Sequence, residues 1–186
     1  MLSELLKITR SYRRYKENER ISEKTLREIA GAVRYTPSAA NLQRVRVAIV
    51  NNDLQNKAVF DTLGFAAYLK DWPGPKEGER PSAYFVLMTE SDPDVNLAMD
   101  IGLSAEAIIL SAREKGIGAC LFRSFKREAL SEILARDGYN PVLVISLGYP
   151  AEEVVIDEVK NGDIKYFRDE NDVHHVPKLS PDELII

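Results

Sequence analysis

Apolar residues recur at helical spacing in Leu26, Ile29, Ala30 and Val33, and Ser22 stands ahead of them where it can cap a first turn. The helix should stop by Thr36, because the residue before Pro37 is pushed out of the α region. The pattern then switches to alternation in RVRVAIV (44–50), as in a half-buried strand, and NND (51–53) marks a turn. A second helix is predicted over 54–69, followed by DWPGPKEGERP (71–81), whose prolines and glycines exclude regular structure. AYFVLM (83–88) and VLVISL (142–147) are continuous apolar runs, the signature of interior strands. Between them, residues 95–115 predict the longest helix. It is apolar on nearly every side and is therefore expected to be buried, with Gly116 placed to end it. ACLF (119–122) reads as a short strand and 125–135 as an amphipathic helix.

After Pro150 the texture changes. Residues 151–186 carry no helical stripe until SPDE (180–183), a capping box with proline at the first helical position. Asn161-Gly162 sits between short β-prone pieces and predicts a hairpin. Such an arm cannot bury itself and should lie on something else. The whole reads as one α+β domain over 1–186 whose last 36 residues, 151–186, form an extended arm.

Composition narrows the setting. Hydrophobic residues make up 45% of the chain and charged residues 29%, a globular balance. The runs AYFVLM and PVLVI (141–145) are too short to span a bilayer, and Glu4 and Lys7 interrupt the N-terminal apolar residues, against a secretory segment. A single cysteine, Cys120, fits a reducing compartment, so a cytoplasmic protein is expected. The net charge of -4 argues against nucleic acid as partner. Against that acidity, RSYRRY (10–15) gathers Arg10, Arg13 and Arg14 between Lys7 and Lys16. A knot so local suits a small anionic ligand.

Self-sufficient chemistry is missing from the sequence. His174 and His175 are adjacent in a predicted strand, so they point to opposite faces and do not jointly ligate a metal; they read as a solvent-facing pair. Cys120 lies in an apolar strand and reads as a buried, inert thiol. Nucleophile-elbow, P-loop and dinucleotide-binding patterns are absent. No side chain is expected to be catalytic in itself and no metal is expected, so a cofactor would supply the chemistry. Two stretches could hold one. The arginines of RSYR suit bidentate contact with phosphate, with the Ser11 hydroxyl beside them. TPSAANLQ (36–43) offers small residues that leave room for a flat ligand, and amides that match the edge of a heteroaromatic ring.

Four stretches in this order resemble the nitroreductase family of flavin enzymes: RSxR near the N terminus, PSAxNxQ, DIGLSAEAIILSAREKGIGACLF, and VISLGYPAEE. The resemblance runs from about Leu2 to Leu184. It implies a three-layer α+β sandwich with a mostly antiparallel central sheet flanked by helices. It also implies a homodimer whose C-terminal arms are exchanged, with FMN at the interface and NAD(P)H as reductant. Carried over, it assigns Arg10 and Ser11 to the FMN phosphate and ribityl chain and Arg13 to the N1/C2=O edge of the flavin. Pro37, Ser38 and Ala39 would pack at the ring from the partner subunit, with Asn41 near its polar edge. The backbone around Phe122, Arg123 and Ser124 would approach N5, and Lys178 would assist at the phosphate.

The chain departs from the family pattern at Thr9, Arg44-Val45 and Leu179, and its 71–81 loop is short. The reading is an FMN-dependent oxidoreductase that transfers hydride from NAD(P)H to a nitroaromatic, quinone or similar conjugated small-molecule acceptor, away from membranes. The alternatives are a reductive dehalogenase-like relative and a non-catalytic flavin-binding or sensing protein.

Overall fold

The computed structural model describes residues 1–69 and 71–186. A short helix, α1 (Leu2–Ile8), precedes α2 (Glu23–Gly31), which Ser22 caps: its hydroxyl accepts from the Thr25 N–H at 3.1 Å. A 3-10 turn (Ala32–Tyr35) follows, and Thr36 is extended, as Pro37 requires. The strand β1 (Arg46–Val50) begins two residues after the start that the alternation predicts. Next comes α3 (Asp53–Phe60), capped by Asn52, and it is half the length predicted for 54–69. The reason is tertiary. Leu63 bridges to Phe125, and the Gly64 N–H donates to the Ser124 carbonyl at 2.8 Å, so the chain leaves the helix and packs Phe65 against Phe60 and Phe122. The following elements lie within two residues of expectation: β2 (Ala83–Thr89), α4 (Val95–Glu114), β3 (Gly118–Phe122), α5 (Arg127–Leu134) and β4 (Asn140–Gly148). Gly116 takes φ +76° just past α4, the left-handed turn expected of it.

Four strands form one antiparallel sheet in the order β1-β2-β4-β3. Successive side chains point to opposite faces, and here both faces are covered. Phe85, Leu87, Ile145 and Leu147 pack with Leu26 and Ile29 of α2 and with Leu97, Ile101 and Ile108 of α4. Tyr84, Val86, Met88 and Val144 pack with Val59 of α3 and with Leu130 and Leu134 of α5. The result is a three-layer α+β sandwich.

The long apolar helix is not buried all round as predicted. By length and mean hydropathy (1.4) α4 is long and apolar enough to cross a membrane, yet one side packs on the sheet. Val95, Met99 and Leu103, spaced by four, remain 78%, 56% and 46% exposed in the single chain. Gly102 beside them has open space where a Cβ would stand.

The arm also differs from expectation. It makes a small sheet of its own, with β7 (His174–Lys178) between β5 (Val154–Glu158) and β6 (Phe167–Arg168). Asn161 and Gly162 do form a left-handed turn, at φ 53° and 73°, closed by a Lys160–Asp163 bridge. No hairpin grows from it, because β5 pairs in parallel with β7 instead. A last turn, α6 (Pro181–Leu184), carries the capping box of Ser180 and Glu183. Leu184, Ile185 and Ile186 beyond the arm's sheet stay exposed.

Candidate functional site

The RSYR segment is held by its tyrosines. Ser11 forms a parallel bridge to Ala119 on β3, a sheet edge, and the Tyr12 N–H donates to the Ala119 carbonyl at 3.0 Å. The Tyr12 ring lies on Gly118, where an added Cβ would stand 2.8 Å away from it. The Tyr15 ring lies on Gly148 in the same way, also at 2.8 Å. Both tyrosines are buried, and the Tyr15 hydroxyl meets the Ser146 hydroxyl at 2.7 Å. The two glycines in β3 and β4 therefore let the segment lie flush against the sheet.

Anchored so, Arg13 and Arg14 point apart. Arg14 pairs with Asp172 at 3.0 Å and Glu79 at 3.6 Å and leaves the cavity that Arg10 and Arg13 line. Glu152 fixes this divergence. Its side chain is 1% exposed, and one carboxylate oxygen accepts the N–H groups of both Arg13 and Arg14, the second at 3.0 Å. Its other oxygen accepts from Arg168 at 2.7 Å.

The cavity measures about 370 Å³ and brings together Arg10, Ser11, Arg13 and Lys178, with the β3 edge from Ala119 to Leu121 as a wall. Glu106 of α4 is the only carboxylate on that wall among the described residues. His174, Val176 and Lys178 enter from β7 at alternate positions, which share one face of a strand.

His174 is therefore not solvent-facing. It is 1% exposed, and its Nε2 lies 3.2 Å from Arg13 Nη1. A guanidinium only donates, so Nε2 accepts and the proton sits on Nδ1. Burial, then the Arg13 charge, holds its pKa at about 4. The Tyr166 ring closes the other side of Arg13, 4.9 Å from its guanidinium carbon. His175 faces the opposite way and stays partly exposed; its Nδ1 lies 2.8 Å from Asp157, and that bond raises its pKa.

The His174 shift has a sign. Between pH about 4 and 6.5 the unfolded chain binds a proton at this position that the folded chain refuses, so stability falls as pH drops through that window. His175 works in the opposite direction, contributing stability that is lost as pH rises through its folded pKa, and it is unchanged in a His174 variant. Wild type should accordingly lose about 2 kcal/mol relative to His174→Gln between about pH 7 and about pH 5. Urea midpoints of both proteins at the two pH values check this.

Cys120 lines the cavity but is 5% exposed, and burial raises its thiol pKa, the inert state its strand context predicts. Phe122, Arg123 and Ser124 lie just past the cavity. Phe122 is buried edge-on against Phe65 and the Ser124 carbonyl is taken by Gly64, while Arg123 lines a neighbouring space of about 820 Å³. The two spaces share Leu121 and Glu106.

Pro37, Ser38, Ala39 and Asn41 line neither space. Their loop is pinned to buried Asp100 on α4, which accepts the Ser38 hydroxyl at 2.9 Å and the Ala39 N–H at 3.0 Å. Ala40, Asn41 and Gln43 all take positive φ, a strained run for residues with a Cβ. Within one chain this loop and the arginines are not brought together.

Sequence reasoning missed Glu152, Asp100, Tyr166 and the inward His174. Only His174 left a signal: it shares a period of two with Lys178.

The chain is thus a three-layer α+β protein with a cationic cavity along one edge of its sheet. Residues 6–149 match the Nitroreductase family, and the chain belongs to that family. A nitroreductase family protein from Streptococcus pneumoniae TIGR4 is 17% identical, with a TM-score of 0.71 over 100% of this chain and 99% of that one. An FMN-dependent nitroreductase from Clostridium difficile R20291 is 22% identical, at a TM-score of 0.64 over 82% and 89%. The FMN-dependent nitroreductase NfnB from Mycobacterium smegmatis, solved in complex with NADPH, is 17% identical, at 0.66 over 81% and 87%. At such identities these likenesses speak for the fold. Among curated proteins, none matches the sequence.

Proposed function

We propose that this protein is an FMN-dependent oxidoreductase that takes hydride from NAD(P)H and reduces nitroaromatic, quinone or similar conjugated acceptors in the cytosol. The observation that carries the reading is the cavity beside β3, where Arg10, Ser11, Arg13 and Lys178 converge. Its residues fit FMN. Among the described residues Arg10, Arg13 and Lys178 pair with no carboxylate, and Arg10 Nε and His174 Nδ1 are buried donors without a partner. A phosphate and a ring edge rich in acceptors would meet those groups. When bound, FMN supplies the two-electron redox chemistry.

The chain's own part is to hold and to tune. Arg10, Ser11 and Lys178 bind the phosphate end, and Arg13, held by Glu152, His174 and Tyr166, presents a fixed positive charge to the ring. Asp100 shapes the loop carrying Pro37, Ser38, Ala39 and Asn41, which in this reading serves the ring of a second copy. A homodimer is part of the proposal for that reason. It is supported by the exposed stripe of Val95, Met99 and Leu103 and by the uncovered tail from Leu184 to Ile186.

The purified protein should release FMN on denaturation, and steady-state rates with NAD(P)H and a quinone should give parallel double-reciprocal lines, since one pocket serves donor and acceptor in turn. Release of FAD, or no flavin after reconstitution, would end the cofactor reading. Intersecting lines would end the mechanism.

A further inference from the structure

Another cavity, of about 410 Å³, lies on the α3 side of the sheet and shares no residue with the cationic one. Three buried polar atoms of its lining residues have no partner among the described residues: the Tyr84 hydroxyl, Asn56 Oδ1 and Arg80 Nε. Tyr84 is 1% exposed and Asn56 7%. The Asn56 amide is oriented by its N–H donating to the Ser82 carbonyl at 2.8 Å, which leaves Oδ1 as the free atom. Burial raises the Tyr84 pKa far above that of an ordinary phenol, so the hydroxyl keeps its proton.

The charges at this cavity are unevenly committed. Arg20 pairs with Asp53 at 2.6 Å, and the Glu17 carboxylate accepts the N–H groups of Gly78 and Arg80. Arg80 lies over the Phe60 ring, 4.5 Å from its centre, and neither it nor Lys57 pairs with a carboxylate among the described residues. Among the described residues the lining carries three cations and three carboxylates, so what distinguishes the cavity is not net charge but Arg80 and the unpartnered atoms beside it.

Buried polar atoms in native proteins are nearly all paired, so three orphans at one cavity specify a missing complement. Asn56 Oδ1 can only accept, Arg80 can only donate, and the Tyr84 hydroxyl can do both. We infer that this cavity binds a small carboxylate that also carries a hydroxyl. Its carboxylate lies against the Arg80 guanidinium, and its hydroxyl donates to Asn56 while accepting from Tyr84. The planar fork of arginine, placed over the Phe60 ring, favours a carboxylate over a tetrahedral anion. This site is independent of the flavin reading.

Calorimetric titration of the purified protein with glycolate, acetate and inorganic phosphate tests it. Glycolate should bind more tightly than acetate, and phosphate more weakly than either. Tyr84→Phe removes an unpaired hydroxyl, so without ligand it should melt no lower than wild type, while its glycolate affinity falls about tenfold or more. Arg80→Leu keeps apolar cover on Phe60 and should lose both carboxylates. Absence of heat with glycolate would overturn the site, as would unchanged glycolate affinity in both variants. Phosphate binding as tight as glycolate would mark an unspecific anion patch and overturn it equally.

Discussion

Glu152→Ala should destabilise the protein by about 3–5 kcal/mol, the largest single effect expected outside the core. The carboxylate and Arg168 are 1% and 9% exposed, so deleting one leaves the other's charge buried and unpaired. Two backbone donors, at Arg13 and Arg14, lose their acceptor as well. A rival view holds that buried ion pairs add little, because desolvation offsets their attraction. That view concerns removing both charges together, not one. It makes a second expectation: Glu152→Gln with Arg168→Met should be markedly milder than Glu152→Ala, since the amide oxygen can still accept both N–H groups and no charge is stranded. Urea unfolding of wild type and the two variants decides. A loss below about 1 kcal/mol in Glu152→Ala would mean that water already reaches this pair.

Arg13→Ala should weaken FMN binding about ten- to a hundredfold, the usual effect of losing a charge-assisted hydrogen bond of about 1.5–3 kcal/mol, whereas Arg14→Ala should change it little. The two residues are neighbours of identical chemistry, so composition cannot separate them. Geometry does: Arg13 lies in the cavity between His174 and Tyr166, and Arg14 turns away to Asp172 and Glu79. Arg13→Ala should also lower the flavin reduction potential, by about 1–2 kcal/mol for a partly exposed cation near an anionic reduced ring. Cys120→Ser should keep most activity, since that thiol is buried and its pKa raised. Flavin fluorescence titrations check the order. Arg14 emerging as the more sensitive site would sink the assignment of the cavity.

Much of the fold was legible because local rules and packing agree along most of this chain. Continuous apolar runs became β2 and β4, both central in the sheet and covered on both faces. Ser22 and Ser180 capped the helices their positions foretold, because a cap needs only a side chain and a backbone N–H a few residues away. The misreadings fall where a distant contact overruled the local pattern. Residues 61–69 carry helix-compatible residues, but Leu63 and Gly64 are claimed by Phe125 and Ser124. The turn at Asn161-Gly162 formed, yet β5 found its partner in β7.

The candidate site divides along the same line. Sequence by itself determined which residues are cations, which are small, and that Arg10, Ser11 and Arg13 travel together on one short segment. It determined too that His174 and His175 face opposite ways, since alternation is a property of the backbone. Only the tertiary structure decided which of those two faces the cavity, that Arg13 enters it while Arg14 does not, and that Lys178 meets them there. Those decisions rest on Glu152 and on the close seats of Tyr12 at Gly118 and Tyr15 at Gly148, contacts between residues more than a hundred positions apart. Spacing along a chain carries no information about such pairs, because what selects them is the packing of one side chain against a backbone that lies near it only in the folded protein.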